Sequence, residues 1–452
     1  MKRLVTHRTV RRLSACVLSA LFGLLWVAGP VLGQSVTFGT PSAVSKFGTS
    51  IVFTQPYSGA TINTANILIQ VPDDAGPSVF TLARVGSNSL VFTMDTSSGT
   101  LFPNTPVSAN FEVALADGTT QEGPVIHVVY ADDRFTWKTK TGKLVRLHYI
   151  DASDAFAQQM LTLADGGVTK AASLFGVTES QPIDYYVYPS QSLFQQGLNQ
   201  PDTVGGVAMP SFRTCYSIVA AGDATYAAQV MPHEPTHVVF ADATGNPYHD
   251  PPRWLNEGFA QYVSQGYDAQ SRQEVSHAVS NGTLTSLVAL TDFFPLDSQR
   301  IYLAYAEAVS AVDFMVRKYG QPAIPKLAKA YSGGASDDEA FTAAFGVDVA
   351  TFNSAWLTDN GATPVKYGPQ PAPTGPVPPG WNGSSGTVTT PQPTTAGGPA
   401  GTPSTSSGGQ NASTLSDNTI VYLLAGVMAA AGLVLIGLAI ALVATSRRQP
   451  LP

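Results

Sequence analysis

An uncharged run near the carboxyl end, at positions 420–444, is the feature that most constrains how this chain folds. At about 1.5 Å per residue, a helix of this length crosses the roughly 30 Å of hydrocarbon in a bilayer. Arg447 and Arg448 follow the run, and basic residues beside a membrane helix favour the cytoplasmic side. We therefore expect a single transmembrane helix at 419–445 and a short cytoplasmic tail at 446–452.

The amino end has the layout of a secretory signal peptide. Residues 1–14 carry five basic residues and no acidic one, an apolar run follows at 15–27, and small residues stand near Gly33. This order is typical of a segment that directs export and is then removed. We expect residues 1–33 to be a signal peptide. The chain would then be a single-pass cell-surface protein with an extracellular amino-terminal ectodomain.

The charge of the chain is unevenly distributed. The net charge is −7, but residues 34–418 hold 17 basic residues against 31 acidic ones, a net charge of −14. An ectodomain this acidic is a poor partner for nucleic acid or anionic lipid, so we expect no nucleic-acid partner. Only Cys215 lies outside the expected signal peptide, which excludes an internal disulfide. The folded domains therefore depend on apolar cores or on a metal.

Between its two ends the chain divides into two regions and a stalk. Short runs of Val, Ile, Phe and Thr separated by turn residues predict an all-β, sandwich-like domain at 34–135. Strands followed by helices predict an α+β domain at 136–362. Residues 363–418 are rich in Pro, Gly, Ser and Thr and predict a solvated stalk. The expected strands of the α+β domain are 144–150, 183–188 and 217–220, and its main helices are 152–175, 226–241, 253–265, 301–319, 322–331, 337–345 and 349–357.

The motif that carries chemistry is His233-Glu234-Pro235-Thr236-His237. Two histidines four residues apart lie on one face of a helix, where each can offer a ring nitrogen to the same ion. The glutamate between them lies close enough to act on water held by that ion. From the numbers of His and Glu in this chain, the motif arises by chance in roughly one chain in 500. We therefore interpret it as a metal site.

A catalytic zinc site needs a third protein ligand and one open position. Glu257 lies on the next expected helix, after a loop at 242–252 that allows the two helices to meet. It is one of only eight glutamates in the chain, so its position here is informative. We expect its carboxylate to reach the two imidazoles.

His233, His237 and Glu257, with 19 residues between the second and third, resemble the ligands of the glutamate-zincin (gluzincin) metallopeptidases. The resemblance is nearest to the peptidase MA-like domains, is more distant to the zinc aminopeptidases, and covers about residues 140–360. It implies a thermolysin-like zincin fold in which these three residues bind Zn²⁺. It also implies that Glu234 is the general base on a zinc-activated water.

The same resemblance suggests a residue that stabilises charge on the substrate oxygen. In the zinc aminopeptidases a tyrosine opens a helix with the pattern Tyr-x-Lys-Gly, and Tyr305 stands similarly here, although the Lys-Gly pair is replaced. The resemblance implies that Tyr305 donates a hydrogen bond to the oxyanion. Tyr302, one turn earlier, is the alternative.

Two departures from the family pattern lead to further expectations. Proline disrupts a helix interior but suits a helix start, so Pro232 and Pro235 predict that the motif helix begins or kinks near Pro232. The edge-strand motif of the aminopeptidases ends in a glutamate that Gly206-Val207-Ala208-Met209-Pro210 lacks. An endopeptidase is therefore favoured over an aminopeptidase, and the segment remains a candidate strand for pairing with peptide backbone.

The sequence thus predicts a membrane-anchored extracellular zinc metallopeptidase that hydrolyses peptide bonds in a peptide or protein substrate. The alternative is a non-catalytic cell-surface binding protein built on a degenerate peptidase domain. A purely structural metal site is disfavoured, because such sites are closed and usually rich in cysteine, whereas Glu234 stands beside this one.

Overall fold

The computed structural model describes residues 35–200, 204–295 and 298–363. The expected signal peptide, membrane helix and cytoplasmic tail lie outside these residues, as does the expected stalk beyond residue 363. Within the described ranges, no helix is both long enough and apolar enough to cross a membrane.

The first region consists of two antiparallel sheets that share one apolar core. One sheet has the order β1-β3-β2 with β6 paired to β3, and the other has the order β5-β4-β7-β8 with β9 paired to β7. Alternate residues of β7 point into the core, as expected for a strand with one buried face. The expected all-β region is confirmed. Its strands are β1 (Val36–Phe38), β2 (Ser42–Lys46), β3 (Ser50–Gly59), β4 (Ile62–Gln70), β5 (Ser78–Thr81), β6 (Ser89–Asp95), β7 (Thr105–Leu115), β8 (Thr120–Glu122) and β9 (Ile126–Tyr130).

The second region packs helices against a mixed sheet of order β10-β11-β12-β14-β13. The three central strands are parallel, whereas β10 and β13 are antiparallel edge strands. The strand expected at 217–220 lies earlier, at Thr214–Ile218, and the short helix α2 was not expected. The strands are β10 (Lys138–Thr141), β11 (Val145–Tyr149), β12 (Ile183–Tyr188), β13 (Gly206–Met209) and β14 (Thr214–Ile218), and the helices are α1 (Asp154–Phe175), α2 (Gln191–Leu198), α3 (Ala224–Thr244), α4 (Arg253–Ser264), α5 (Ala269–Asn281), α6 (Ser298–Tyr319), α7 (Ile324–Ser332), α8 (Asp337–Phe345) and α9 (Val349–Asp359).

The loop before β7 joins the two regions. The Asn104 amide donates to Thr214 Oγ1 at 2.9 Å, and its oxygen accepts from Tyr186 Oη at 3.2 Å. The hydroxyl of Tyr216 donates to the Pro103 carbonyl. These contacts lie on one face of the mixed sheet, while the Tyr185 hydroxyl, on the other face, donates to a carbonyl of α3. The β region therefore covers the face of the sheet that does not carry the motif helix.

The motif helix runs through both prolines. α3 spans Ala224–Thr244 without interruption, with Pro232 and Pro235 inside it. The prediction that the helix begins or kinks near Pro232 is therefore wrong. Its start is instead capped by Asp223, whose side chain accepts from the third backbone N–H beyond it at 3.0 Å. Pro232 has no N–H to donate to the carbonyl of Ala228, four residues before it. Ala228 is exposed, so water can hydrogen-bond this carbonyl instead.

Close packing by α1 explains why this helix tolerates its prolines. Gly167 of α1 faces Pro232, and a Cβ atom at Gly167 would lie 2.5 Å from the Cα atom of that proline. The backbones of α1 and α3 are therefore in direct contact. The free energy gained by burying the facing sides of these two helices exceeds the cost of proline inside a helix.

We expect Gly167→Ala to lower the free energy of unfolding by about 1–3 kcal/mol, because the added methyl group overlaps the backbone of Pro232. Gly166→Ala is the matched control in the same helix, since its added methyl group meets no atom within 4 Å. The control should raise the free energy of unfolding by about 0.5–1 kcal/mol. Urea unfolding of both variants measures the two effects, and equal effects would contradict the close approach.

Candidate metal centre

Three buried side chains from two helices meet at one point. His233 and His237 stand one turn apart on α3, and Glu257 reaches them from α4. Glu257 Oε2 lies 3.5 Å from His233 Nε2 and 3.7 Å from His237 Nε2. One donor atom of each residue lies within 4.8 Å of the others, and each residue is 2% exposed. The structure thus brings together the three residues that the sequence predicts as zinc ligands.

The spacing of these atoms fits a shared ion better than hydrogen bonding. Both nitrogen–oxygen separations exceed the length of a hydrogen bond. Bonds to zinc of about 2.0–2.2 Å in a tetrahedral site place neighbouring ligand atoms about 3.3–3.5 Å apart. Among the described residues, His233 Nε2 and Glu257 Oε2 have no hydrogen-bond partner. Buried polar atoms left in this state are destabilising, and a zinc ion would satisfy them.

Both imidazoles are held neutral, the form in which histidine binds a metal. Burial lowers the pKa of His233 to about 3, against the effect of a hydrogen bond with the Gln261 side chain. Burial lowers the pKa of His237 to about 4, and the charge of Glu257 opposes this. His237 Nδ1 donates to Asn256 Oδ1 at 2.8 Å, which leaves the Nε2 lone pair directed at the cluster.

Glu234 lies beside the cluster and against β13. It is 1% exposed, and its Oε1 atom has no hydrogen-bond partner in the described part of the chain. Burial raises the pKa of Glu234 well above its ordinary value, and the negative charge of Glu257 raises it further. A Cβ atom at Gly206 would overlap Glu234 Oε1, so the glycine makes room for the carboxyl group. The residue predicted as general base is therefore next to the ligands.

Tyr305 of α6 also lies at the cluster. Burial raises the pKa of its phenol well above the ordinary value, and the charge of Glu257 acts in the same direction. The phenol therefore keeps its proton and remains a hydrogen-bond donor. Tyr302, the alternative, is only half-buried, and burial alone raises its pKa. The structure favours Tyr305 over Tyr302 as the residue closest to the ligands.

The sequence prediction missed the polar residues that flank Glu257 on α4. Asn256 and Gln261 each contact a histidine of the cluster, as described above. The Arg253 Nη2 atom lies 3.6 Å from Glu257 Oε1, and its guanidinium carbon lies 5.2 Å from the centroid of the Phe294 ring. Arg253, Glu257 and Gln261 are spaced by four residues and share a helix face, so this spacing was a usable signal.

Comparison with protein families agrees with this geometry. Residues 163–360 match the sequence model of the peptidase MA superfamily. Residues 163–360 are thus similar to peptidase MA domains. The expected resemblance to the gluzincins is thereby confirmed at the level of the superfamily. Among curated proteins, none matches the chain significantly.

Several solved structures are distantly similar to this chain. Wild-type OgpA from Akkermansia muciniphila is 23% identical over 21% of this chain and 28% of its own, with a TM-score of 0.17. An aminopeptidase N family protein from Idiomarina loihiensis is 11% identical over 74% of this chain and 77% of its own, with a TM-score of 0.40. An M1 zinc metallopeptidase from Deinococcus radiodurans is 14% identical over 71% of this chain and 94% of its own, with a TM-score of 0.33. The segment of this chain that matches OgpA thus spans little more than a quarter of the length of OgpA.

A further buried carboxyl group lies on α6, two residues after Tyr305. Glu307 is 0% exposed, and its Oε1 atom accepts from the backbone N–H of Thr285 at 2.5 Å. Its Oε2 atom has no partner among the described residues. Burial raises the pKa of Glu307 to about 8, and the bond from Thr285 opposes this. The group therefore ties the segment after α5 to α6 largely in its protonated form at neutral pH.

We expect Asn256→Ala to weaken zinc binding by about 10–100-fold, because His237 loses the acceptor that fixes its tautomer. Asn256→Asp is the control, since it keeps an oxygen acceptor at this position. Competition with a chromophoric chelator measures both affinities. Wild-type affinity in Asn256→Ala would show that the hydrogen bond does not orient the ligand.

The Glu307 carboxyl group should make stability depend on pH. Its folded-state pKa, about 8, lies above the ordinary 4.5, so the native state binds a proton that the unfolded state releases. The free energy of unfolding should therefore fall between pH 4.5 and 8, by up to about 1.4 kcal/mol per pH unit. Glu307→Gln should remove this component, which urea unfolding at several pH values measures. Identical pH profiles for the two proteins would contradict the assignment.

Proposed function

We propose that this chain is a zinc-dependent peptidase that hydrolyses peptide bonds. The observation that carries the proposal is the meeting of His233, His237 and Glu257 in one buried cluster with Glu234 beside it. A structural metal site has no use for a further carboxyl group next to its ligands, whereas a hydrolytic site requires one.

The residues of the site have distinct roles in this proposal. Zinc in such a site lowers the pKa of a bound water and polarises a carbonyl group. The positive charge of a zinc ion beside Glu234 would favour its carboxylate form, in which Glu234 takes the proton of the attacking water and later gives it to the leaving nitrogen. The Tyr305 hydroxyl donates a hydrogen bond to the oxygen on which negative charge develops. Asn256 holds the His237 ring in the orientation that ligation requires.

The edge strand β13 is a place for the substrate backbone. Among the described residues β13 pairs only with β14, and Gly206 at its start lies against Glu234. Val207 and Ala208 are buried, so an extended peptide would pair with this edge, beside the general base, only after the groups that cover it move away. Pro210 follows Met209 at the position where the zinc aminopeptidases carry the glutamate that holds a free amino terminus. We therefore propose endopeptidase rather than aminopeptidase action.

The site of action follows from the two ends of the sequence. The basic, apolar and small-residue order of 1–33 and the uncharged run at 420–444 support an extracellular catalytic domain held at the membrane. A stalk at 363–418 would give this domain reach above the bilayer, which suits a protein or peptide substrate in solution or on the same surface.

Glu234→Gln should lower turnover by at least about 100-fold and leave the zinc content unchanged, because the amide cannot accept the proton. The test is cleavage of a mixed peptide library by the zinc-loaded protein, with zinc measured by elemental analysis. Glu122→Gln, an exposed change in β8, is the control for loss of one carboxylate and should retain activity.

Substantial turnover in Glu234→Gln would exclude Glu234 as the general base. Zinc binding without cleavage by the wild-type protein would favour the non-catalytic binding protein. Absence of zinc from the protein purified with excess metal would overturn the proposal.

A further inference from the structure

A shallow recess opens beside Tyr305, between α4, α5 and α6. It encloses about 220 Å³ when its solvent-open mouth is included, but the part walled in by protein admits only a group about the size of one water molecule, such as the terminal ammonium of a lysine. Its walls combine amide, hydroxyl and carboxylate groups with the rings of two tyrosines. The polar residues that line it are Gln261, Gln270, Ser271, Glu274, Tyr302 and Tyr305.

Glu274 is the charged residue of this lining. It is half-buried, and within the described ranges it has neither an ion pair nor a hydrogen bond. The nearest cation on its own helix, Arg272, is engaged elsewhere, since its guanidinium donates to the Tyr267 carbonyl and lies 5.6 Å from that ring's centroid. The recess therefore presents one carboxylate that no neighbouring cation on α5 neutralises.

The recess adjoins the metal cluster. Gln261, in its wall, hydrogen-bonds His233, and Tyr305 stands next to Glu257. The cation of the site, Arg253, lies on the same face of α4 but eight residues before Gln261, about 12 Å along the helix axis. Along α4, the site thus has a positive charge at Arg253, and the recess with the negative charge of Glu274 lies toward Gln261.

We propose that this recess selects substrates with a cationic group near the bond to be cleaved, with Glu274 as its partner. The inference rests on the proposed peptidase function and names its substrate class. An ammonium or guanidinium group would pair with the Glu274 carboxylate and donate to the oxygens of Gln270 and Ser271. An acidic side chain would be repelled, and an apolar one would leave these polar groups unpaired. The net charge of −14 over residues 34–418 also attracts cationic peptides, which agrees with a preference for cationic substrates.

The test uses the full-length, zinc-loaded protein and paired peptides that differ at one position. One kind of pair compares lysine with the neutral residue norleucine, and the other compares arginine with the neutral residue citrulline. Each pair is made at successive positions on either side of the cleaved bond. Every peptide is prepared with a free and with an acetylated amino terminus, which separates a side-chain cation from a terminal one. We expect the cationic member to have a kcat/KM at least about fivefold higher at one position.

Three variants assign this preference to the recess. Glu274→Gln should reduce it to less than about twofold, chiefly by lowering kcat/KM for the cationic peptides. Glu274→Lys should invert it in favour of glutamate at the same position. Gln273→Glu adds a carboxylate on the exposed neighbouring residue and should leave the preference unchanged, which controls for overall charge.

A binding measurement separates this inference from the proposed function. In the Glu234→Gln background, the affinity ratio of each peptide pair is measured without turnover. A cationic preference that depends on Glu274 in binding, but no cleavage by the wild-type protein, would retain the recess and overturn the peptidase. Cleavage with equal kcat/KM within every pair, or a preference unchanged in Glu274→Gln, would overturn the recess and retain the peptidase.

Discussion

The rest of the second region depends on the burial of four ionisable side chains on α3 and α4. His233, Glu234, His237 and Glu257 are each 1–2% exposed, and in the described part of the chain one side-chain atom of His233, of Glu234 and of Glu257 has no hydrogen-bond partner. Burying such groups without partners is unfavourable by about 1–3 kcal/mol each, more when a charge is involved. A metal ion bound by His233, His237 and Glu257 would reduce this penalty, and its binding would then be linked to the stability of the domain.

The surrounding structure serves to hold these groups at fixed distances. α1 packs against α3 so closely that glycine is needed at the contact, which fixes the position of the motif helix. α4 contributes Asn256, Glu257 and Gln261, so one helix both supplies a ligand and orients the two histidines. The β region fixes the opposite face of the sheet through Asn104. The cluster is thus supported by α1 and the β region, which contribute no residue to it, and by α4, which does.

Much of this arrangement could be predicted from the sequence. The histidine spacing and Glu257 identified the cluster, because a four-residue repeat fixes a helix face irrespective of tertiary structure. α8 lies at Asp337–Phe345, as expected, because acidic residues at its start and a glycine after its end define it locally. The domain boundaries remain predictions, as do the roles of the individual site residues.

Other features could not be predicted, because tertiary contacts decide them. α3 passes through Pro232 and Pro235 since packing against α1 outweighs the local preference of proline. β14 was expected a few residues too late because its pairing with β12, and not its composition, sets its ends. The contact of Gly206 with Glu234 joins residues 28 apart and has no local signal.

The position of β13 at the edge of the sheet has a consequence for which proteins such a site can attack. Hydrogen bonds between backbones along an edge strand do not depend on the side chains of the incoming segment. They do require that this segment be fully extended over several residues. Residues within a helix or a tight turn of a folded protein cannot adopt that geometry without first unfolding locally. Under the proposed function, compact proteins would therefore be spared, and linkers, termini and frayed loops would be the parts of a target that are cleaved.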